Sequence, residues 1–415
     1  MSSIPRNIAG NWAWIASCAW SPSSWHYKGG KRDLRLDLLR GFAVIAMIAD
    51  HIGGERSWLY LITGGDRFFV SAAEVFVFIS GLLMGMIYAG TIARQGLGPA
   101  LMKVLQRAWT LYLLTMTLTL TFAPLSLHLN LWWAFTVTAS SVSDFLVSVL
   151  TLHRTYYLTD VLLLYTLLVL GAVPVLALVA HGHTRAVLAV SWGLWALWQL
   201  APQRATFPWP IADNNVFTFP AWQVLFVTAL AIGYHPQQLR THLPCLSPYH
   251  VLGISGAFVA GAIALYAAIQ PASAIHSAGL IQQLFGKGDL RIGRLFVFAA
   301  FFTFAYALLT VAWMPIHRAF SWLLLPLGQN ALTAYTLHLF VVALTATVSP
   351  ILTGTVPATA AQNTLIQIGG IILIWAIILM QPYASAVLHT WFALVTALVR
   401  VKRASWALSS QPRNP

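Results

Sequence analysis

Ten stretches of this chain are apolar over lengths that suit a bilayer crossing, at roughly 36–53, 68–92, 104–124, 156–180, 186–200, 219–235, 250–270, 295–313, 320–347 and 364–388. Backbone N–H and C=O groups find no water inside hydrocarbon, so such runs fold as helices or as closed barrels. A barrel strand is short and alternates in polarity, whereas a spanning helix needs about 20 mostly apolar residues. These runs are long and do not alternate. The expected fold class is therefore all-α, a polytopic transmembrane helix bundle of about ten spans. Composition agrees: 59% of residues are hydrophobic and 8% charged, where a soluble domain carries about a quarter charged.

The formal net charge is +13, but its distribution argues against a nucleic-acid partner. Basic residues sit in short loops between apolar runs, where the positive-inside rule expects them. With the N-terminus inside, 16 basic residues fall on the cytoplasmic side and 7 outside, which places both termini in the cytoplasm. The expected organisation is an N-terminal cytoplasmic or interfacial segment (1–30), one integral membrane domain (31–400) and a cytoplasmic tail (401–415). No cleavable signal peptide is expected, because residues 1–30 lack a sustained apolar core. Cys18 and Cys245 have no metal-type spacing and read as apolar fillers. Neither a metal site nor a dinucleotide or phosphate-loop motif is expected.

Charge is costly in such a chain, yet six of its ten acidic residues (Asp33, Asp37, Asp50, Glu55, Asp66 and Glu74) fall between 33 and 74. Intramembrane charge marks either a pairing between packed helices or a site. If 34–52 is helical, Arg40 and His51 are eleven residues apart, close to three turns, and share a face with Asp33, Asp37, Val44 and Met47. The imidazole then stands about 16 Å along the helix from the guanidinium. His51, preceded by Asp50, has a titration range suited to general-base work. Glu74, early in the second run, must face a partner or a cavity, and lies near the same end of the bundle as His51. Ser80, Gly81 and Gly85 permit close helix approach. Arg32 and Arg35 read equally well as structural charges near the inner interface.

Arg40 and His51 reproduce the R-x10-H pattern of the acyltransferase 3 membrane superfamily. The string RDLRLDLLRGFAVIAMIADHI (32–52), followed by AAEVFVFISG (72–81), resembles the OpgC family within or beside it. DVLLLY (160–165), FPAWQVLF (219–226), GDLRIGRLFVFAAFFTFAYAL (288–308) and LGQNALTAY (327–335) are similar to it as well. The resemblance implies a bacterial inner-membrane O-acyltransferase that moves succinyl groups from cytoplasmic succinyl-CoA to hydroxyls of osmoregulated periplasmic glucans. Acyl-CoA is then a co-substrate, and no permanently bound cofactor is implied. Arg32, Arg35, Asp37, Arg40, Lys103 and Arg107 would form the donor's phosphate-facing entrance. His51 would deprotonate the sugar hydroxyl, with Asp50 or Glu74 holding its tautomer.

A succinyl carboxylate calls for a cation near the reaction centre, and Arg56 or Arg67 is available in the first outer loop. Trp209, Asp213, Asn214 and Asn215 are candidate sugar contacts, read equally well as an interfacial ring and turn formers. Asp160 and Tyr165 match the D-V-L-x-L-Y string, with Asp160 expected to face a cavity. His338, three residues after Tyr335, is expected to make a helix–helix hydrogen bond. Two other readings stay open at this stage. One is a transporter or flippase using the intramembrane charges; the other is an acetyltransferase acting on another extracytoplasmic glycan.

Overall fold

The computed structural model describes residues 26–381 apart from 31, 53–56, 65–67, 132, 134–138, 203–205, 215, 237–245, 270–277 and 354–358. Residues 1–25, the expected tail 401–415, both cysteines and the short apolar run at 391–399 lie outside the described residues. The described chain is helical: α1 (Leu34–His51), α2 (Tyr60–Thr63), α3 (Ala72–Gln95), α4 (Leu97–His128), α5 (Val142–Leu150), α6 (Asp160–Ala180) and α7 (Thr184–Leu200). There follow α8 (Phe219–Tyr234), α9 (Pro248–Ile269), α10 (Ala278–Phe285), α11 (Ile292–Val311), α12 (Trp313–Gln329) and α13 (Ala331–Thr353), then α14 (Ala360–Gln381). Among the described residues, extended pairing is confined to a bridge between Arg154 and Ala212.

Seven of these helices (α3, α4, α6, α9, α11, α13 and α14) are long and apolar enough to cross a membrane, which makes the chain a multi-pass membrane protein in character. Helix α8 is equally apolar but shorter. Helix α1 carries Arg35, Asp37, Arg40 and Asp50, yet most of its surface is buried inside the bundle.

One expected span is two helices. The run at 320–347 breaks at Asn330, between α12 and α13. Pro326 has no N–H to give the Trp322 carbonyl, and the indole of Trp375 on α14 donates to that carbonyl instead, at 2.9 Å. Asn330 then closes α12, its backbone and side-chain N–H groups donating to Pro326 O at 3.1 and 2.9 Å. Its own carbonyl accepts from Ala334 N at 2.9 Å and so starts α13.

Lipid tails are as apolar as leucine, so helices in a bilayer associate through close packing and interhelical hydrogen bonds. Two glycine seams supply the packing. On α1 and α12, a Cβ at Gly41 would collide with the Leu324 carbonyl, and one at Gly328 with the Asp37 carbonyl. On α3 and α8, Gly81, Gly85 and Gly233 face backbone of the opposite helix in the same way. Hydrogen bonds join the remaining neighbours. Thr115 and Thr166 meet at 3.0 Å between α4 and α6, and Ser191 donates to Gln223 at 2.6 Å between α7 and α8. Helix α1 touches α3, α11, α12 and α13, so its polar stripe is enclosed by other helices.

These seams predict a sharp contrast. Gly328→Ala should destabilise the detergent-solubilised protein by about 1–3 kcal/mol, the usual cost of overpacking. Gly98→Ala, where nothing lies within 4 Å, should be neutral or stabilising by up to about 1 kcal/mol. Chemical unfolding of the two variants side by side checks this, and equal effects would dismiss the seam.

Candidate active site

At the N-terminal end of α1 the charges separate into two groups. Asp33 caps the helix by accepting from Arg35 N at 3.1 Å. The same carboxylate takes a forked contact from the Arg35 guanidinium at 2.9 and 2.8 Å and the Tyr306 hydroxyl at 2.7 Å. Arg35 also donates to Thr310 Oγ1 at 2.8 Å, and its plane lies between the rings of Tyr27 and Tyr306 at 4.3 and 4.2 Å. With 2% of its side chain exposed, Arg35 has both faces covered and its donors engaged. The expected phosphate contact from Arg35 gives way to a structural one: it ties α1 to α11.

Asp37 organises the second group. Its carboxylate receives Arg32 at 2.6–2.8 Å and Arg40 at 2.8 Å. Arg40 Nε donates to the Gly328 carbonyl at 2.5 Å across the tight α1–α12 seam. Arg107 and Tyr165 lie within electrostatic reach of Arg40, and Tyr88 stands beside Arg107. Two arginines on one carboxylate, with a third nearby, leave this end of α1 net positive. Lys103 lies on the exposed face of α4 and donates to Gln95 at 2.8 Å.

Three turns further on, the C-terminal end of α1 holds His51. Its Nδ1 lies 3.1 Å from His338 Nε2 on α13, with the rings nearly parallel and 5.2 Å between centroids. His338 is fully buried, and its Nδ1 lies 2.5 Å from the Tyr335 carbonyl. The Tyr335 hydroxyl donates to the Leu158 carbonyl, which brings α13 against the start of α6, where Asp160 lies. The helix end under His51 is held from α14: Gln367 donates to Ala49 O at 2.9 Å and Ile52 O at 2.7 Å, and Ser57 donates to Gln367 at 2.5 Å. Asp50 is half-buried beside His51. In the loop before α6, burial with Asp160 alongside pushes the Tyr157 phenol up to about 12, so it is a hydroxyl donor at neutral pH.

Lys287, in the turn between α10 and α11, comes within electrostatic reach of both His51 and Asp160. That turn is fixed from two sides, by α7 and by the start of α8. Trp195 donates to Leu290 O at 3.0 Å, Trp198 to the Asp289 carboxylate at 3.0 Å, Gln199 to Asp289 O at 2.7 Å and Thr218 to Gly288 O at 3.0 Å. Arg56 and Arg67, the cations expected from the first outer loop, and Asn215 lie outside the described residues.

Glu74 is engaged elsewhere. It closes a capping box at the start of α3, accepting from Ser71 N at 3.0 Å and Ser71 Oγ at 2.5 Å, and forms a fully buried ion pair with Arg294 of α11. Around the loop before α8, Asp213 pairs with Arg154 at 2.5 Å, and Asn214 makes both its hydrogen bonds to Phe217 backbone at 3.0 and 3.1 Å. Trp209 donates to Leu152 O at 2.9 Å and stacks on His153. Asp213 and Asn214 therefore shape that loop. Among the described residues, no group of three His, Cys, Asp or Glu is placed to hold a metal ion.

His338, Lys287 and Gln367 are the residues that sequence reasoning undervalued. Each is a polar group in or beside an apolar run, but the residues it meets are far away in the chain.

A helical membrane bundle with two hydrogen-bonded imidazoles at one end of its first helix and paired arginines at the other defines a multi-pass protein with polar groups held in its interior. The family model described as OpgC protein matches residues 32–385, and the chain belongs to that family. No curated protein and no solved structure matches it. Family membership makes it a membrane acyltransferase-like protein.

The Glu74–Arg294 pair yields a stability prediction. Removing one partner of a buried pair strands the other charge, at about 3–5 kcal/mol, whereas removing both with apolar replacements is often near neutral. Arg294→Met should therefore lower the unfolding midpoint strongly, and Glu74→Leu combined with Arg294→Met should recover most of the loss. A double variant no better than the single one contradicts this.

Proposed function

We propose that this protein is an O-acyltransferase that carries a succinyl or similar short acyl group from cytoplasmic acyl-CoA to hydroxyls of a periplasmic glucan, with His51 as general base. The observation that carries the reading is the pairing of Arg40 and His51 on one continuous, enclosed helix. Both side chains engage the α12–α13 pair, at Gly328 and His338.

The donor's phosphates would meet Arg32, Arg40 and Arg107 at the inner end, where guanidinium forks match phosphate oxygens. The thiol arm would extend the roughly 16 Å of three turns toward His51. There the acceptor hydroxyl gives its proton to His51 Nε2 while its oxygen forms the new bond to the thioester carbon. Collapse of the tetrahedral adduct breaks the C–S bond, and the proton on His51 passes to the departing CoA sulfur. The thioester is already activated, so positioning and a general base worth about 10²–10⁴-fold supply the catalysis required. Lys287, near His51, would hold the distal carboxylate of a succinyl group. The reading places the protein in a bacterial inner membrane with both termini cytoplasmic, and its partners are lipid, acyl-CoA and glucan.

The test is transfer of labelled acyl groups from succinyl-CoA or acetyl-CoA to glucan by protein reconstituted in nanodiscs. His51→Ala should lower transfer by about 10²-fold or more, and wild-type transfer in that variant removes His51 from the mechanism. Lys287→Gln should reduce succinyl transfer selectively. A parallel fall with both donors would deny it that role.

A further inference from the structure

The two imidazoles have a direction. The Tyr335 carbonyl only accepts, so His338 Nδ1, 2.5 Å away, carries a proton. A neutral imidazole has one N–H, which leaves a lone pair on His338 Nε2. That lone pair faces His51 Nδ1 at 3.1 Å. His51 must then donate from Nδ1, and the single proton of neutral His51 resides there. The lone pair of His51 is consequently on Nε2, the ring nitrogen turned away from His338.

We propose that His338 is the positioning residue of the site: its Nε2 accepts from His51 Nδ1, fixes the tautomer that leaves Nε2 basic, and sets the plane of the ring. The kinetic part of this inference rests on His51 being the base; the tautomer assignment does not. In Ser–His–Asp sites the equivalent task falls to a buried carboxylate. A neutral imidazole performs it here without placing a further negative charge in a low-dielectric interior. Glu74, one candidate for that task, is occupied by Ser71 and Arg294. The relay is anchored at each step: Tyr335 is tied to Leu158, and the end of α1 is tied to Gln367. A rigid acceptor matters because it must hold the imidazole while the proton arrives on the other nitrogen.

Two measurements test this. Nitrogen NMR of histidine-labelled protein in bilayers, with the His51 signals assigned by difference from His51→Gln, should show a protonated Nδ1 and an unprotonated Nε2. The reverse assignment overturns the proposal without reference to activity. In the transfer assay, His338→Met removes the acceptor at similar volume and should lower kcat by about 10²-fold with donor KM unchanged. His338→Gln restores an acceptor near the same point and should recover most of that loss. If His51→Ala is inactive and His338→Met turns over at the wild-type rate, His338 has no positioning role. If His51→Ala is itself active, the base assignment fails and the spectrum alone decides the tautomer. Should His338→Met fail to fold, the wild-type spectrum and the kinetics of His338→Gln decide whether the proposal stands.

Discussion

Everything in this bundle depends on how α1 keeps charge inside a low-dielectric interior. Asp37 is the centre of that solution, because one buried carboxylate pairs with Arg32 and Arg40 together. The arrangement requires α12 to come close enough for the Gly328 carbonyl to accept from Arg40. Only glycine at 41 and 328 lets the two backbones approach that far. Electrostatics and packing are therefore one constraint: a larger residue in the seam would part the helices and leave a guanidinium without its acceptor.

The second consequence is a division of labour along α1. Arg35 is sealed between two tyrosines and Asp33 and serves as a rivet to α11. Arg40 keeps part of its surface open beside Arg107 and Tyr165. Residues five apart thus have opposite fates, although both are arginines in the same string. At the far end, the last turn of α1 would leave carbonyls unsatisfied, and Gln367 of α14 takes two of them. That cap immobilises the backbone carrying His51, so a helix distant in the chain sets the position of the imidazole.

The polar network also explains why the later motifs have the residues they do. Asp289 and Leu290 anchor the turn that carries Lys287. Arg294 answers Glu74, and Tyr335 holds the turn ahead of Asp160. Strings that lie between residues 72 and 335 are thus tied into the bundle through these groups. Within each string, a polar group makes the contact: Glu74 and Arg294 with each other, Asp289 with Trp198, and Tyr335 with Leu158.

Much of this was legible in the chain itself. Hydrophobic run length determined the all-helical class, because hydrocarbon permits few other ways to satisfy a backbone. The eleven-residue spacing put Arg40 and His51 on one helix, since helical periodicity is local. The lone glycines at 81 and 85 announced a close crossing. Partner choice was not legible. Nothing local says that Glu74 meets Arg294 rather than His51, or that Arg35 is enclosed while Arg40 is open. The break at Asn330 was hidden because Pro326 can sit in a continuous run when a tryptophan on another helix covers the freed carbonyl. Above all, the imidazole facing His51 comes from 287 residues away. Sequence determined which groups are too costly to bury alone; the tertiary structure decided which of them meet, because only the packed helices bring those distant residues within hydrogen-bond distance.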